Sequence, residues 1–149
     1  MIIVSSCLAG LCSNYKQGAC PRPRIAELVE QGKAIPVCPE QLGGLPTPRE
    51  PAEIIGSGAG DCVLDGRARV MTRDGRDVTG NYLRGAAETL KLAQMTGASL
   101  VILNERSPSC GVKAVYDGTF SHRAIPGCGV TTALFVRNGF QVVSDEDFT

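Results

Sequence analysis

Short apolar runs, separated by polar and glycine-rich stretches, set the rhythm of this chain. Ile2-Ile3-Val4-Ser5 reads as a first strand, Ala34 to Val37 as a second, Leu100-Val101-Ile102-Leu103 as a third, and Gln141 to Val143 as the last. Runs of this length suit short strands with both faces covered. Between them the period changes. Arg22 to Gln31 carries Ile25, Leu28 and Val29 at helical spacing, with Gly32 placed to end it. Leu83, Ala86, Leu90 and Ala93 form the stripe of a longer helix, with Asp77 or Thr79 as N-cap and Gly97 as stop. Val130, Ala133 and Leu134 form another, stopped by Gly139. Asp65-Gly66, Asp74-Gly75 and Asp117-Gly118 are tight-turn signals, and they predict hairpins at about Val63 to Thr72 and Ala114 to Phe120. Strands alternating with helices predict an α/β fold. The reading is a single small domain over residues 1–149, with a largely parallel sheet flanked by helices plus short β-hairpins.

Composition narrows the function. The chain has 149 residues, 43% hydrophobic and 20% charged, enough to bury one core. Fifteen basic residues balance fifteen acidic ones. That balance argues against large nucleic acid as the main partner and leaves room for a local basic pocket. No apolar run reaches the roughly 18 residues of a membrane span. The opening MIIVSSCLAG lacks the basic region of a secretory signal, so the expected location is the cytoplasm. Nothing in the pattern sets an oligomeric state.

Seven cysteines change the picture more than anything else. Cys7, Cys12, Cys20, Cys38, Cys62, Cys110 and Cys128 are odd in number and scattered, which does not suit a disulfide scaffold in a reducing compartment. Cys7, Cys38 and Cys110 each follow an apolar strand. In a parallel sheet the carboxyl ends of the strands share one edge, where ligands bind, so three thiols distant in sequence could meet there. Glycine or proline stands close to each sulfur, in Cys7-Leu8-Ala9-Gly10, Cys38-Pro39-Glu40 and Ser107-Pro108-Ser109-Cys110-Gly111. Three readings compete at this point. Free cysteines often serve as small buried hydrophobes. Zinc is poorly supported, with no C-x-x-C pair and His122 the sole histidine. Thiolates also hold iron–sulfur clusters, and three of them would leave one iron open as a Lewis acid.

Other segments carry weaker signals. Gly127-Cys128-Gly129 opens the last helix and could offer backbone N–H groups to a carbonyl or phosphate. Gly56 to Gly60 resembles a nucleotide loop, but it is expected to lead into a strand, so the dinucleotide fingerprint fails its context. It reads as a loop or lid. Glu40, two residues from Cys38, is the best-placed general base.

VSSCLAG, PVCPEQLGGLPTPREPAEI, LDGRARVMTRDGRDVTGNYLRGA, ILNERSPSCG, YDGTFS and GCGVTTAL, in that order across nearly the whole chain, resemble the thiouracil desulfidase family. The resemblance implies a small α/β protein with a [4Fe–4S] cluster held by Cys7, Cys38 and Cys110. It implies an enzyme that replaces the sulfur of a small thiolated pyrimidine, base or nucleotide, by oxygen and releases hydrogen sulfide. In that frame Glu40 takes a proton from water, while Ser107 and Ser109 orient the substrate or pass a proton. Lys16, Arg22, Arg24 and Arg49 become candidate phosphate contacts for a monophosphate. Cys12, Cys20, Cys62 and Cys128 receive no role, with Cys128 the nearest candidate for a fourth ligand. This chain departs from its relatives at Asn14-Tyr15-Lys16-Gln17-Gly18, where an Arg-Tyr-Asp-Gly-like stretch is usual, and at Asn104, where lysine is common. The alternative is an iron–sulfur redox or sensor module without hydrolytic activity. A further alternative is a metal-free fold that binds pyrimidines.

Overall fold

The computed structural model describes residues 1–56 and 59–148. Its strands are β1 (Ile2–Ser5), β2 (Ala34–Val37), β3 (Ala52–Ile55), β4 (Arg69–Thr72), β5 (Leu100–Leu103), β6 (Ala114–Tyr116), β7 (Ala124–Pro126) and β8 (Val142–Ser144). The helices are α1 (Pro23–Glu30), α2 (Pro39–Leu42), α3 (Gly60–Leu64), α4 (Thr79–Thr96) and α5 (Val130–Arg137).

Four strands pair in the order β2-β1-β5-β8, all parallel, with Ile2 opposite Ala34 and Leu100, and Val101 opposite Val142. The central pair explains why the apolar runs are continuous. Ile3, Val4, Val101, Ile102 and Leu103 have no exposed surface, because both faces of β1 and β5 are covered. On one face Val4, Ile102 and Ala34 pack with Ile25 of α1; on the other Ile3, Val101 and Leu103 pack with Ala93 of α4 and Phe135 of α5. Cys7 belongs to the first of these clusters and Cys110 to the second, so the thiols flank the sheet edge from both sides. No helix among the described residues is long and apolar enough to cross a membrane.

Two hairpins sit outside this sheet, and one differs from expectation. β4 pairs antiparallel with β3, upstream, and Val63 lies instead on α3. Val63 is buried against a third cluster with Tyr82, Ala86 and Val130, and that packing selects a helical turn over a strand. Asp65-Gly66 does make a turn, but one that ends α3, with Gly66 N–H on Val63 O at 3.1 Å. Gly56 to Gly60 therefore leads into a helix and not a strand. Its lid reading falls on Ser57 and Gly58, which lie outside the described residues. The second hairpin, β6 with β7, forms as predicted with a wider turn. The long helix ends at Gly97 as expected; its N-cap is Val78 and not Asp77 or Thr79, although Asp77 Oδ1 accepts the Thr79 N–H at 2.9 Å.

A three-thiol cavity at the carboxyl edge of the sheet

Each thiol is positioned by backbone contacts that the local sequence makes possible. After β1 the chain enters a 3-10 turn, Ser6–Ala9, and the Cys7 carbonyl accepts N–H groups from Gly10 (3.2 Å) and Cys20 (3.1 Å). Cys38 is the N-cap of α2, followed by proline at the first helical position, where no N–H is missed. That short helix lies directly on α4. A Cβ on Gly43 would stand 2.0 Å from the Asn81 carbonyl oxygen, and one on Gly85 would stand 2.0 Å from that of Pro39. Asn81 Nδ2 closes the contact by donating to Gly43 O at 2.9 Å.

Cys110 comes seven residues after β5, on a loop tied at three points. Ser107 Oγ accepts the N–H groups of Ser109 and Cys110, each at 3.1 Å. Glu105 Oε1 gathers those of Val112, Lys113 and Ala114 at 2.7, 2.8 and 3.0 Å. The first turn of α5 supplies the third tie, with Gly129, Val130 and Thr131 N–H on the carbonyls of Gly111, Pro108 and Ser109 at 2.8–2.9 Å. In the Gly127-Cys128-Gly129 segment the N–H groups of Gly127 and Gly129 are thus spent on Lys113 O (3.1 Å) and Gly111 O (2.8 Å) and not on a ligand. A Cβ on Gly129 would lie 2.4 Å from the Ser109 carbonyl.

Cys7, Cys38 and Cys110 open together on one cavity of about 310 Å³, with Glu40 and Ser107 in its wall. Beside them Arg49 Nη2 reaches Glu40 Oε2 at 3.3 Å, Ser13 O at 3.1 Å and Cys38 Sγ at 3.7 Å. The guanidinium is 6% exposed and the carboxylate 13%, so this pair is shielded from solvent. Burial, then the Glu40 charge, pushes the thiols of Cys38 and Cys110 up. Cys7 is pushed up chiefly by its hydrogen bond with Cys20, whose own thiol falls to about 7 for the same reason.

Ser109 is a correction. It is 1% exposed, its hydroxyl pairs with Thr131 Oγ1 at 2.8 Å, and it does not line the cavity. Its place next to the ligand turns it toward α5. The cations are corrected too, since of Lys16, Arg22, Arg24 and Arg49 only Arg49 reaches the wall. Arg22 is bound to Asp145 at 2.7 Å, and Arg24 lies over the Phe148 ring. Cys128 is not a wall residue; the thiol nearest to the role of a fourth ligand is Cys20, beside Cys7 but also outside the wall. Asn14, Tyr15 and Asn104, at the departures from the family pattern, all line the cavity. Residues unnoticed in sequence include Glu53, Arg73, Glu105 and Phe120. All four lay within the quoted motifs, Glu53 in PREPAEI, Arg73 in LDGRARVMTRDGRDVTGNYLRGA, Glu105 in ILNERSPSCG and Phe120 in YDGTFS, which was the available signal.

The donor chemistry fits an iron–sulfur cluster. Three thiols share one shielded wall, and no group of three His, Cys, Asp or Glu among the described residues is gathered closely enough for a single ion. Fold and site together define a small α/β protein built to hold a metal–sulfur centre beside an acid. The sequence pattern of the 2-thiouracil desulfurase family matches residues 2–147, and the chain belongs to that family. It is 50% identical over 147 residues to the uncharacterized protein YbbK of Bacillus subtilis (strain 168), covering 99% of this chain and 97% of that one. Among solved structures it is similar to a [4Fe-4S]-dependent thiouracil desulfidase, TudS, with a TM-score of 0.86 and 39% identity over 99% of this chain and 91% of that one.

Proposed function

We propose that this protein is a [4Fe-4S]-dependent desulfidase that replaces the thione sulfur of a small thiolated pyrimidine by oxygen and releases hydrogen sulfide. The observation that carries the reading is the convergence of Cys7, Cys38 and Cys110 on the cavity that also holds Glu40. A cluster held by these three thiolates supplies an open iron, a Lewis acid for the thione sulfur.

The remaining work falls to the chain itself. Glu40 takes a proton from the water that attacks the ring carbon. Arg49 fixes the orientation of that carboxylate through Oε2, which leaves Oε1 for the water. Ser107 Oγ already accepts two backbone N–H groups, so its own proton is directed outward as a donor to a polar atom of the ring. Ser109 steadies the loop through Thr131 and stays out of the proton path. Water enters and sulfide leaves with no net electron transferred, so neither a nicotinamide nor a flavin is needed. For the nucleotide form, exposed Arg73 in the cavity wall is the cation best placed to meet a phosphate.

Glu40→Gln tests the assignment. The amide keeps the Arg49 contact but cannot take a proton, so kcat for sulfide release should fall by roughly 10²–10⁴-fold. Cluster absorbance and KM should stay near the wild-type values. Near-normal turnover with an intact cluster would remove Glu40 from the mechanism.

A further inference from the structure

Two antiparallel strand pairs, β3 with β4 and β6 with β7, meet beside the cavity and contribute Glu53, Tyr116 and Phe120 near its wall, none of which takes part in the chemistry above. Glu53 on β3 is buried, at 7% exposure, and lines the cavity. Its Oε1 accepts the N–H groups of Gly118 (2.9 Å) and Phe120 (3.2 Å), both in the turn between β6 and β7. That turn is also tied to itself, with Asp117 Oδ1 accepting the Thr119 N–H at 3.0 Å and the Thr119 hydroxyl at 2.6 Å. It lies hard against β3, since a Cβ on Gly118 would stand 2.8 Å from the Ile54 carbonyl oxygen.

Phe120 and His122 hold φ values of 58° and 59°. Bulky residues rarely adopt this left-handed region, and they keep it only where their surroundings enforce it. Here the enforcement brings both side chains into the cavity wall. His122 is engaged with the Tyr116 ring, edge to face at 5.4 Å. Phe120 is half-buried, lines the cavity and has no aromatic partner among the described residues.

We infer that the Asp117–His122 turn is the base-recognition element of this active site, with Phe120 as the stacking face for a planar pyrimidine and Glu53 as the positioning residue that holds it there. The nature of the ligand rests on the desulfidase reading. Stacking acts on the ring whether it carries sulfur or oxygen, so substrate and product are held alike. Binding of that kind appears in KM and leaves kcat unchanged.

Kinetics and product binding on the cluster-loaded enzyme test the inference, with 2-thiouracil as substrate and uracil as the product probe. Phe120→Ala should raise KM, and the Kd for uracil, by about 5- to 150-fold, the range of a lost base–aromatic stack. Phe120→Tyr should restore both. Glu53→Ala should raise KM likewise and speed amide hydrogen exchange at Gly118 and Phe120, with the cluster spectrum unchanged. Adding Glu53→Ala to Phe120→Ala should cost little more than Phe120→Ala alone, because one residue acts through the other. Unchanged KM and uracil affinity in Phe120→Ala, with the wild type turning over, would overturn the inference and spare the desulfidase reading. Uracil binding that depends on Phe120 in a wild type that does not release sulfide would do the reverse. A wild type that neither reacts nor binds overturns both.

Discussion

The loops that carry Cys38 and Cys110 and the strand pairs that border the same cavity are secured to different degrees. Around Cys38 and Cys110 the chain is locked by close backbone contact, with Gly43 and Gly85 against facing carbonyls and Gly129 against Ser109, and the Glu105 carboxylate adds a side-chain tie by gathering three N–H groups. At the strand pairs, one carboxylate oxygen of Glu53 holds a turn that contains two unfavourable φ angles. The contrast shows where change is tolerated. On the proposed assignment, a substitution in the first region should disturb the cluster, whereas one in the second should re-aim the Phe120 ring and leave the cluster in place.

The most severe break of this contrast is the loss of a ligand. Ser at Cys7, Cys38 or Cys110 should each strip the cluster, read as iron and sulfide content of anaerobic protein, while Ser at Cys12, Cys20, Cys62 or Cys128 should leave it. Cys20→Ser is the sharpest of these, because its thiol lies beside Cys7. If that variant lost the cluster, the centre would have four protein ligands and the open iron would be gone.

Gly129→Ala should come next. The added methyl must displace the Ser109 carbonyl, and overpacking of this sort costs about 1–3 kcal/mol. For a chain of this size each kcal/mol lowers Tm by about 2–4 °C. The same variant should weaken cluster retention, whereas Glu53→Ala should not, and that difference is the comparison in measurable form.

Glu105→Gln gives a smaller effect with a pH signature. Burial works against the Glu105 charge, but the Ser144 hydroxyl and the N–H groups of Ala114, Lys113 and Val112 outweigh it and hold the carboxyl below its ordinary value. A depressed carboxyl contributes stability that is present above its unfolded pKa, about 4.3, and is lost as pH falls through the folded one. Wild-type urea stability should therefore decline in acid more steeply than that of Glu105→Gln. At pH 7 the variant should be weaker by about 1 kcal/mol, the difference between hydrogen bonds to a charged acceptor and to the neutral amide oxygen that replaces it. Equal acid limbs would show that Glu105 carries no such charge.

The parts of this molecule that sequence made legible are those governed by local periodicity. β1, β2 and β5 announced themselves as apolar runs, and α4 by its stripe and Gly97. Once the strands were parallel, the edge shared by Cys7, Cys38 and Cys110 followed. Illegible were the features set by contacts across the chain. β4 looked like half of a hairpin around Asp65-Gly66 because its true partner, β3, lies upstream beyond α3. Arg49 looked like a phosphate contact because nothing local shows that Ser13 and Glu40 engage its guanidinium. Ser107 and Ser109 are two residues apart with the same chemistry, and only the packing of Thr131 separates them. Glu53 and Glu105 were ordinary acids until the N–H groups they collect were in view.

The order of synthesis gives the cavity a further meaning. Cys7 and Cys38 leave the ribosome early, whereas the Cys110 loop needs the last helix, α5, for its third tie. The N–H groups of Gly129, Val130 and Thr131 reach back to Gly111, Pro108 and Ser109, so this tie forms only after α5 has been made. A nascent or truncated chain lacking α5 would therefore leave the Cys110 loop without its third tie, and one of the three converging thiols without its place.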